Sequence, residues 1–419
     1  MRLLCLLGIC LLVGSLLLGT VPPYAEAAAK SPLKIGVVLA LTGPRLAAGV
    51  EEKAGALCAV EVINKAGGVK GRPLQLIFED DVGDPQKANF LAKKLITVDK
   101  VSGLIGCTGL GATQSLNAVA NELKVVAMNT LQADQIFANP IPQKDQQFTF
   151  APFAESRAAS LLTGYFLTES LNAKKVGILQ QSGILYDNVA AGKNWTKLVW
   201  DKYGTEIQIE KFEITDVDLT GQLLRIKSFK PDAIFVVTYS GGTPPPIITR
   251  QAKQILPGVP IVFNAQTPLR KYLELAADAA DDVFFVGSRL AFVEKYQSPL
   301  EKKFLQAANT LEPGFYPSDY ALSAWDAVHL LAKAMETAGD NSAKIRDEVE
   351  KIRNFKGLQG TYNFSPNDHH GIWVKKWSDV PLYTLKLKPY GVKECIQFTP
   401  KEPFAPWSEV WETSWPNKK

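Results

Sequence analysis

The sequence predicts an α/β protein of two units, each a parallel sheet covered by helices on both faces, and three observations carry that prediction. Short apolar runs without polar alternation, such as Leu33–Leu41 and Lys124–Asn129, read as strands buried on both faces. They take turns with stretches of helical period, the signature of strand–helix–strand units. The pattern then occurs twice within 419 residues, a length too great for one ordinary core.

The first unit opens on Leu33–Leu41, which ends in the turn Thr42-Gly43-Pro44. A helix follows with Ala56, Leu57, Val60 and Ile63 on one side, and Gly67-Gly68 stops it. Leu74–Phe78 is the next strand, running into the acidic loop Glu79-Asp80-Asp81. Asp84 and Pro85 supply an N-cap and a first-turn proline for a helix with Ala88, Leu91, Ala92, Leu95 and Ile96 at helical spacing.

The stretch 101–115, VSGLIGCTGLGATQS, comes next. Val101, Leu104 and Ile105 lead into Gly106, Gly109 and Gly111, and Ala112, Thr113 and Gln114 open a helix that continues through Leu116, Val119, Ala120 and Leu123. A strand, a bare-backbone loop and a helix N-terminus in that order present free N–H groups and the positive end of a helix dipole to an anion, either carboxylate or phosphate. Lys124–Asn129 is the following strand. The loops at 42–49, 79–84, 106–113 and 129–134 all follow strand carboxyl ends, the rim where such sheets bind ligands.

The second unit is read from Val176–Gln180, Ala233–Thr238, Ile261–Phe263 and Val283–Val286, with helical patterns through Leu223, Ile226 and Phe229 and through Ile248, Ala252, Ile255 and Leu256. Gln147–Ser156, which contains Pro152, reads as a crossing between the units. After Arg289 the pattern is helical over 299–309, through Leu322, Trp325 and Val328 to Met335, and over 343–354, and these helices are assigned to the first unit's sheet. From Gly357 the chain turns to short β-like pieces with Trp373, Trp377, Trp407, Trp411 and Trp415. Its end is expected to wrap the body as a tail, with a partner contact as the alternative.

Composition narrows the function. Hydrophobic residues make up 46% and charged residues 21%, as in a folded globular protein, and the net charge of +4 is not clustered, which argues against nucleic acid as a partner. Arg2, an apolar run from Leu3 to Val21 and the alanines at 25, 27, 28 and 29 describe a cleaved secretory signal over residues 1–29, with a retained membrane anchor as the alternative. Cys58, Cys107 and Cys395 remain after it, an odd number without metal-type spacing. No Gly-Lys-Ser or Gly-Lys-Thr follows the glycines, which removes a phosphate-binding P-loop, and no G-x-S-x-G elbow is present. His329 and the pair His369-His370 are read as structural, and the acidic cluster Glu79-Asp80-Asp81 with Asp84 as capping rather than metal-ligating. Those readings describe an exported binding protein, with no catalytic set, no metal and no cofactor.

LKIGVVLALTGP, VEVINKAGGVKGRPLQLIFEDDVGDPQKA, GLIGCTGLGATQS, RQAKQILPGVPIVFN, DYALSAWDAVHLL and FKGLQGTYNFSPNDHHG together resemble the periplasmic type I solute-binding proteins, in the group of leucine/isoleucine/valine-binding proteins of ABC importers, over roughly residues 32–392. The resemblance implies two Rossmann-like lobes joined by a three-segment hinge with crossings near 148–155, 287–292 and 360–370. Lobe one is then 32–150 with 290–362, lobe two 151–289 with 363–394, and 395–419 the tail. It implies capture of a small solute in the periplasm by closure of the lobes and a permease partner in the inner membrane. The same fold also serves sensing modules that feed a receptor or regulator.

Carried over by position, the implied ligand contacts are Leu110, Gly111 and Ala112 of the glycine-rich loop and Leu131, Gln132 and Ala133 after the next strand. Lobe two contributes Tyr186, the loop beginning at Tyr239, and Gln266, and Phe315 stands at the mouth. Arg45 in the first loop adds a positive charge, with a surface arginine as the alternative. Leu110, Gly111, Ala112 and Ala133 replace the family's hydroxyls, and Gln266 replaces its acid. A buried ammonium without a carboxylate costs on the order of several kcal/mol. The expected solute is therefore a carboxylate without an amine, or an amide-like molecule. The positions of the family's disulfide fall on Gly83 and Gly109, so that bridge is absent.

Overall fold

The computed structural model describes residues 30–130, 146–153, 156–182, 195–238, 244–264, 269–288, 290, 298–315, 317–372 and 382–403. The expected signal segment, the tryptophans at 373, 377, 407, 411 and 415, and most of the expected tail lie outside the described residues.

Lobe one is a five-stranded parallel sheet in the order β2 (Leu74–Asp80), β1 (Leu33–Leu39), β3 (Gly103–Gly106), β4 (Val126–Met128) and β5 (Thr149–Phe150). Strand periodicity divides β1 between two cores. Leu33, Ile35, Val37 and Leu39 face the helices α1 (Leu46–Lys65), α9 (Pro299–Leu311), α10 (Asp319–Ala338) and α11 (Ser342–Val349). Val38 faces α2 (Pro85–Thr97) and α3 (Leu110–Leu123) on the other side. The helices after residue 299 thus cover the first sheet. α1 and α10 approach closely because residue 55 is glycine: a Cβ there would stand 1.9 Å from the Ala321 carbonyl oxygen.

Lobe two holds a seven-stranded sheet in the order β14 (Gly391–Ile396), β13 (Leu382–Lys388), β10 (Val283–Ser288), β9 (Ile261–Phe263), β8 (Ala233–Val237), β6 (Lys175–Gln181) and β7 (Glu206–Phe212). The strands from β10 to β7 are parallel, and β13–β14 is an antiparallel hairpin on the β10 edge. α4 (Ser156–Tyr165), α5 (Trp195–Tyr203), α6 (Thr220–Phe229), α7 (Pro244–Ile255) and α8 (Leu269–Ala276) belong to this lobe.

The chain passes between lobes three times: between β5 and α4, between β10 and α9, and between Ile372 and β13. Two of these passages differ from the sequence reading. Thr149–Phe150, read as part of a crossing, is the fifth strand of lobe one. Phe364 and Ile372 are buried in the lobe-one core, so the last passage falls after the segment 360–370 that the resemblance implied. His369 fixes this stretch. Its ring stacks on Phe150 at 3.9 Å, Nδ1 meets the Thr149 carbonyl at 2.9 Å and Nε2 meets Glu350 at 3.0 Å.

Candidate functional site

The carboxyl ends of β1, β2, β3 and β4 bring the predicted rim together. Asp80 accepts from the backbone N–H groups of Leu41 and Val82, each at 2.9 Å, and from the Thr42 hydroxyl at 2.6 Å. Asp84 accepts from Lys87 N–H at 2.7 Å, the N-cap bond expected from the Asp-Pro pair. These acids shape the turns between β1, β2 and α2.

The start of α3 is built differently. Its N-cap is Gly109, which offers no side-chain acceptor to the first turn. Thr113, the next hydroxyl, donates back to the Gly109 carbonyl at 2.8 Å and accepts from Cys107 N–H at 3.3 Å, so it closes the loop. The N–H groups of the first turn are left to whatever occupies the rim. Ala112 is buried in the core beneath α3, and a Cβ on Gly111 would stand 3.0 Å from the Pro85 ring, so these two residues seat α3 against α2. What they can show a ligand is backbone. Leu110 is half-buried.

Arg45 lies beside this helix start. A Cβ on Gly109 would meet its Nε at 3.3 Å, and a Cβ on Gly83 would meet its Cδ at 3.6 Å. The half-buried arginine therefore occupies the space between the two glycines that stand at the family's disulfide positions, and it brings a guanidinium to the α3 N-terminus. Helix dipole and cation act in the same sense there, toward an anion.

Sequence reasoning missed two acids on α1. Ala48, Gly49, Glu52, Ala56 and Ala59 form its buried stripe, and a charge within a stripe of small residues was the signal available. Glu52 is fully buried and accepts from the hydroxyls of Thr108 and Thr130, each at 2.5 Å. Burial pushes its carboxyl up to about 7 against those two hydrogen bonds, with Asp81 adding to the rise and Arg45 opposing it. Glu51 is 3% exposed and accepts from Ser318 N–H at 3.2 Å. Both acids keep a proton longer in the folded than in the unfolded chain. Stability is then expected to fall as pH rises from about 4.5 to about 7, by up to about 1.4 kcal/mol per pH unit for each group, and to level off after Glu51. Glu52→Gln should flatten that slope in urea unfolding measured across the same range, and an unchanged slope would contradict this account.

The remaining predicted residues divide simply. Phe315 is 8% exposed and packs in the lobe-one core, so it does not stand at the mouth. Leu131, Gln132, Ala133, Tyr186, Tyr239 and Gln266 lie outside the described residues. Gly43 and Pro44 of the first rim loop, with Leu46, Ala47, Val50 and Glu51 at the start of α1, line a cavity of about 620 Å³ between the lobes, and Asp216, Val217 and Arg270 stand on its lobe-two side.

Comparison with known proteins bears on the family and the fold. A family model described as periplasmic binding protein matches residues 32–384. Leu/Ile/Val-binding protein homolog 3 of Brucella melitensis is 25% identical over 369 residues, which are 86% of this chain and 95% of that protein. The leucine-, isoleucine-, valine-, threonine-, and alanine-binding protein of Pseudomonas aeruginosa is 27% identical over 80% of this chain and 86% of its own length. The crystal structure of the branched-chain amino acid transporter substrate binding protein LivJ from Streptococcus pneumoniae, in complex with isoleucine, has a TM-score of 0.75 at 26% identity and covers 88% of this chain and all of that one.

Proposed function

The chain belongs to the periplasmic binding protein family, in its Leu/Ile/Val-binding group, and from that premise we propose that it is the exported solute-binding component of an ABC importer, capturing a small carboxylate or amide-like solute between two closing lobes. The observation that carries the proposal is the α3 helix start, with no side-chain cap and the Arg45 guanidinium beside it. An anion placed there gains the first-turn N–H groups and the cation together.

The names of the relatives point to apolar amino acids, but this chain's own residues favour a solute without an ammonium group. Glu52, a buried acid that reaches Thr108 just before the α3 start, is already spanned by Thr108 and Thr130. On the lobe-two side, Gln266 stands where the resemblance puts an acid. In the proposed site Leu110, Gly111 and Ala112 offer backbone to the carboxylate, while Leu131, Gln132, Ala133, Tyr186 and Tyr239 surround the rest of the solute. Closure requires only that the solute bind the closed form better than the open one, and micromolar affinity, about −8 kcal/mol, leaves room for that.

Titration calorimetry with matched carboxylates and primary amides, alongside small-angle scattering, tests the reading. A carboxylate is expected to bind with compaction of the protein. Arg45→Ala should weaken it roughly ten- to hundredfold, as for loss of one charge-assisted hydrogen bond of about 1.5–3 kcal/mol, with much less effect on an amide. Absence of saturable binding and compaction across such a set would end the proposal.

A further inference from the structure

Glu52 sits beneath the rim at the meeting point of three chain segments. Its two carboxyl oxygens accept from the Thr108 and Thr130 hydroxyls, each at 2.5 Å. Thr108 stands one residue before the α3 N-cap, and Thr130 stands just beyond β4, where the chain leads to Leu131. The Thr108 hydroxyl oxygen also accepts from Ala40 N–H at 3.1 Å, at the end of β1, where the chain turns toward Arg45. One side chain thus sets the spacing of the segments that lead to Arg45, to the α3 start and to Leu131. Glu52 itself is 0% exposed, so its action on a solute is indirect.

Charge gives this node a second role. Glu52 forms no ion pair among the described residues, and Arg45 acts on it only from a distance. The same guanidinium lies beside the α3 start. A solute carboxylate there and an ionised Glu52 are two anions competing for one cation, and such a pair relieves its repulsion when one member takes a proton. Burial, which pushes the Glu52 carboxyl up to about 7, makes it that member. The hydrogen bonds survive the change. A protonated carboxyl donates through one oxygen and accepts through the other, so Thr130 turns to accept while Thr108, held by Ala40 N–H, goes on donating.

The neighbouring titratable groups behave differently. Burial raises the Asp81 carboxyl too, opposed by the Gly83 N–H from which it accepts at 2.8 Å. Burial also pushes the Cys107 thiol and the Tyr320 phenol of α10 up, which keeps both neutral. Glu51 turns to the cleft between the lobes, and burial pushes it up to about 8.

With the α3 start read as a carboxylate site, we infer that Glu52 is its proton-linked positioning residue: a carboxylate solute is captured together with one proton, which passes from the buffer to a Glu52 oxygen. Affinity is then level below about pH 6, where Glu52 already carries its proton, and falls as pH rises beyond about 7, because each capture must bring one. A neutral amide brings no repulsion and takes up no proton.

Isocaproate, a leucine skeleton without the amine, and isocaproamide are the probes, titrated calorimetrically in two buffers of different ionisation enthalpy. Isocaproate is expected to bind with net proton uptake near about pH 7.5, and to lose affinity roughly three- to tenfold between about pH 6 and about pH 8, while isocaproamide shows neither effect. Glu52→Gln should bind isocaproate without proton uptake and with little dependence on pH, whereas Glu51→Gln should keep both. The parent protein alone decides the matter if Glu52→Gln does not fold. Absence of isocaproate binding at either pH would count against the carboxylate site itself, and the proton linkage would fall with it. Binding of isocaproate without proton uptake would overturn the linkage alone. So would uptake that persists in Glu52→Gln, uptake that disappears in Glu51→Gln, or equal uptake with isocaproamide.

Discussion

Gly106→Ala is expected to destabilise the protein by more than about 3 kcal/mol and to abolish stabilisation by any solute that binds at the α3 start. Gly106 ends β3 with φ at +142°, a conformation that side chains rarely adopt. A Cβ there would stand 2.2 Å from the Val38 carbonyl oxygen. Backbone cannot yield as a flexible side chain can, so β1 and β3 must part at the pair Val38 and Gly106. These strands form the centre of the lobe-one sheet, and the displaced loop is the one that carries Gly109. Gly221→Ala is the control, since that glycine lies inside α6 and an added methyl would have only the Arg225 guanidinium near it, at 3.5 Å. It should be neutral or gain up to about 1 kcal/mol from helix propensity. Urea unfolding of the two variants checks the contrast, and Gly106→Ala within about 1 kcal/mol of the parent would refute it.

How much of this could be read in advance depended on how local the determining physics is. β1, β3 and β4 are apolar on both faces and announce themselves in any window. β7 escaped because it is an edge strand whose text, EIQIEKF, mixes charges into a half-covered surface. β5 is two residues long, too short for any period. The anion-facing loop was visible because strand, glycines and helix start are contiguous in sequence. The setting of Arg45 was not visible, because it depends on Gly83 and Gly109, residues 38 and 64 positions away, meeting around one side chain. The same applies to Glu51 and Glu52. The pattern marks α1 as a helix, but which acid turns inward to Thr108 and Thr130 and which toward lobe two follows from how α1 is seated. Gly49 sets that seat, since a Cβ there would stand 2.1 Å from the Ala40 carbonyl oxygen.

Asp326→Ala is expected to cost about 3–5 kcal/mol and to loosen solute capture as well. Asp326 is fully buried in the middle of α10, where it accepts from the N–H groups of Leu358 and Gln359 and from the Tyr362 hydroxyl, each at 2.8 Å. The same hydroxyl also lies 3.3 Å from the carbonyl of Pro152, just beyond β5, where the chain first leaves lobe one. One carboxyl thus fastens the 357–362 turn to α10 beside a passage between the lobes. Gly357 permits the close fit, because a Cβ there would lie 2.5 Å from Asp326 Oδ2. Removing the carboxyl strands two backbone donors and a phenol in a dry core, at about 1–3 kcal/mol for each that water cannot reach. Asp326→Asn should recover only part of the loss, since its amide nitrogen replaces an acceptor with a donor. Denaturant unfolding gives the stability, and calorimetry with the best carboxylate gives the affinity. If Asp326→Ala unfolds within about 1 kcal/mol of the parent, the turn must be held by packing around Tyr362 and Phe364 instead of by this carboxyl.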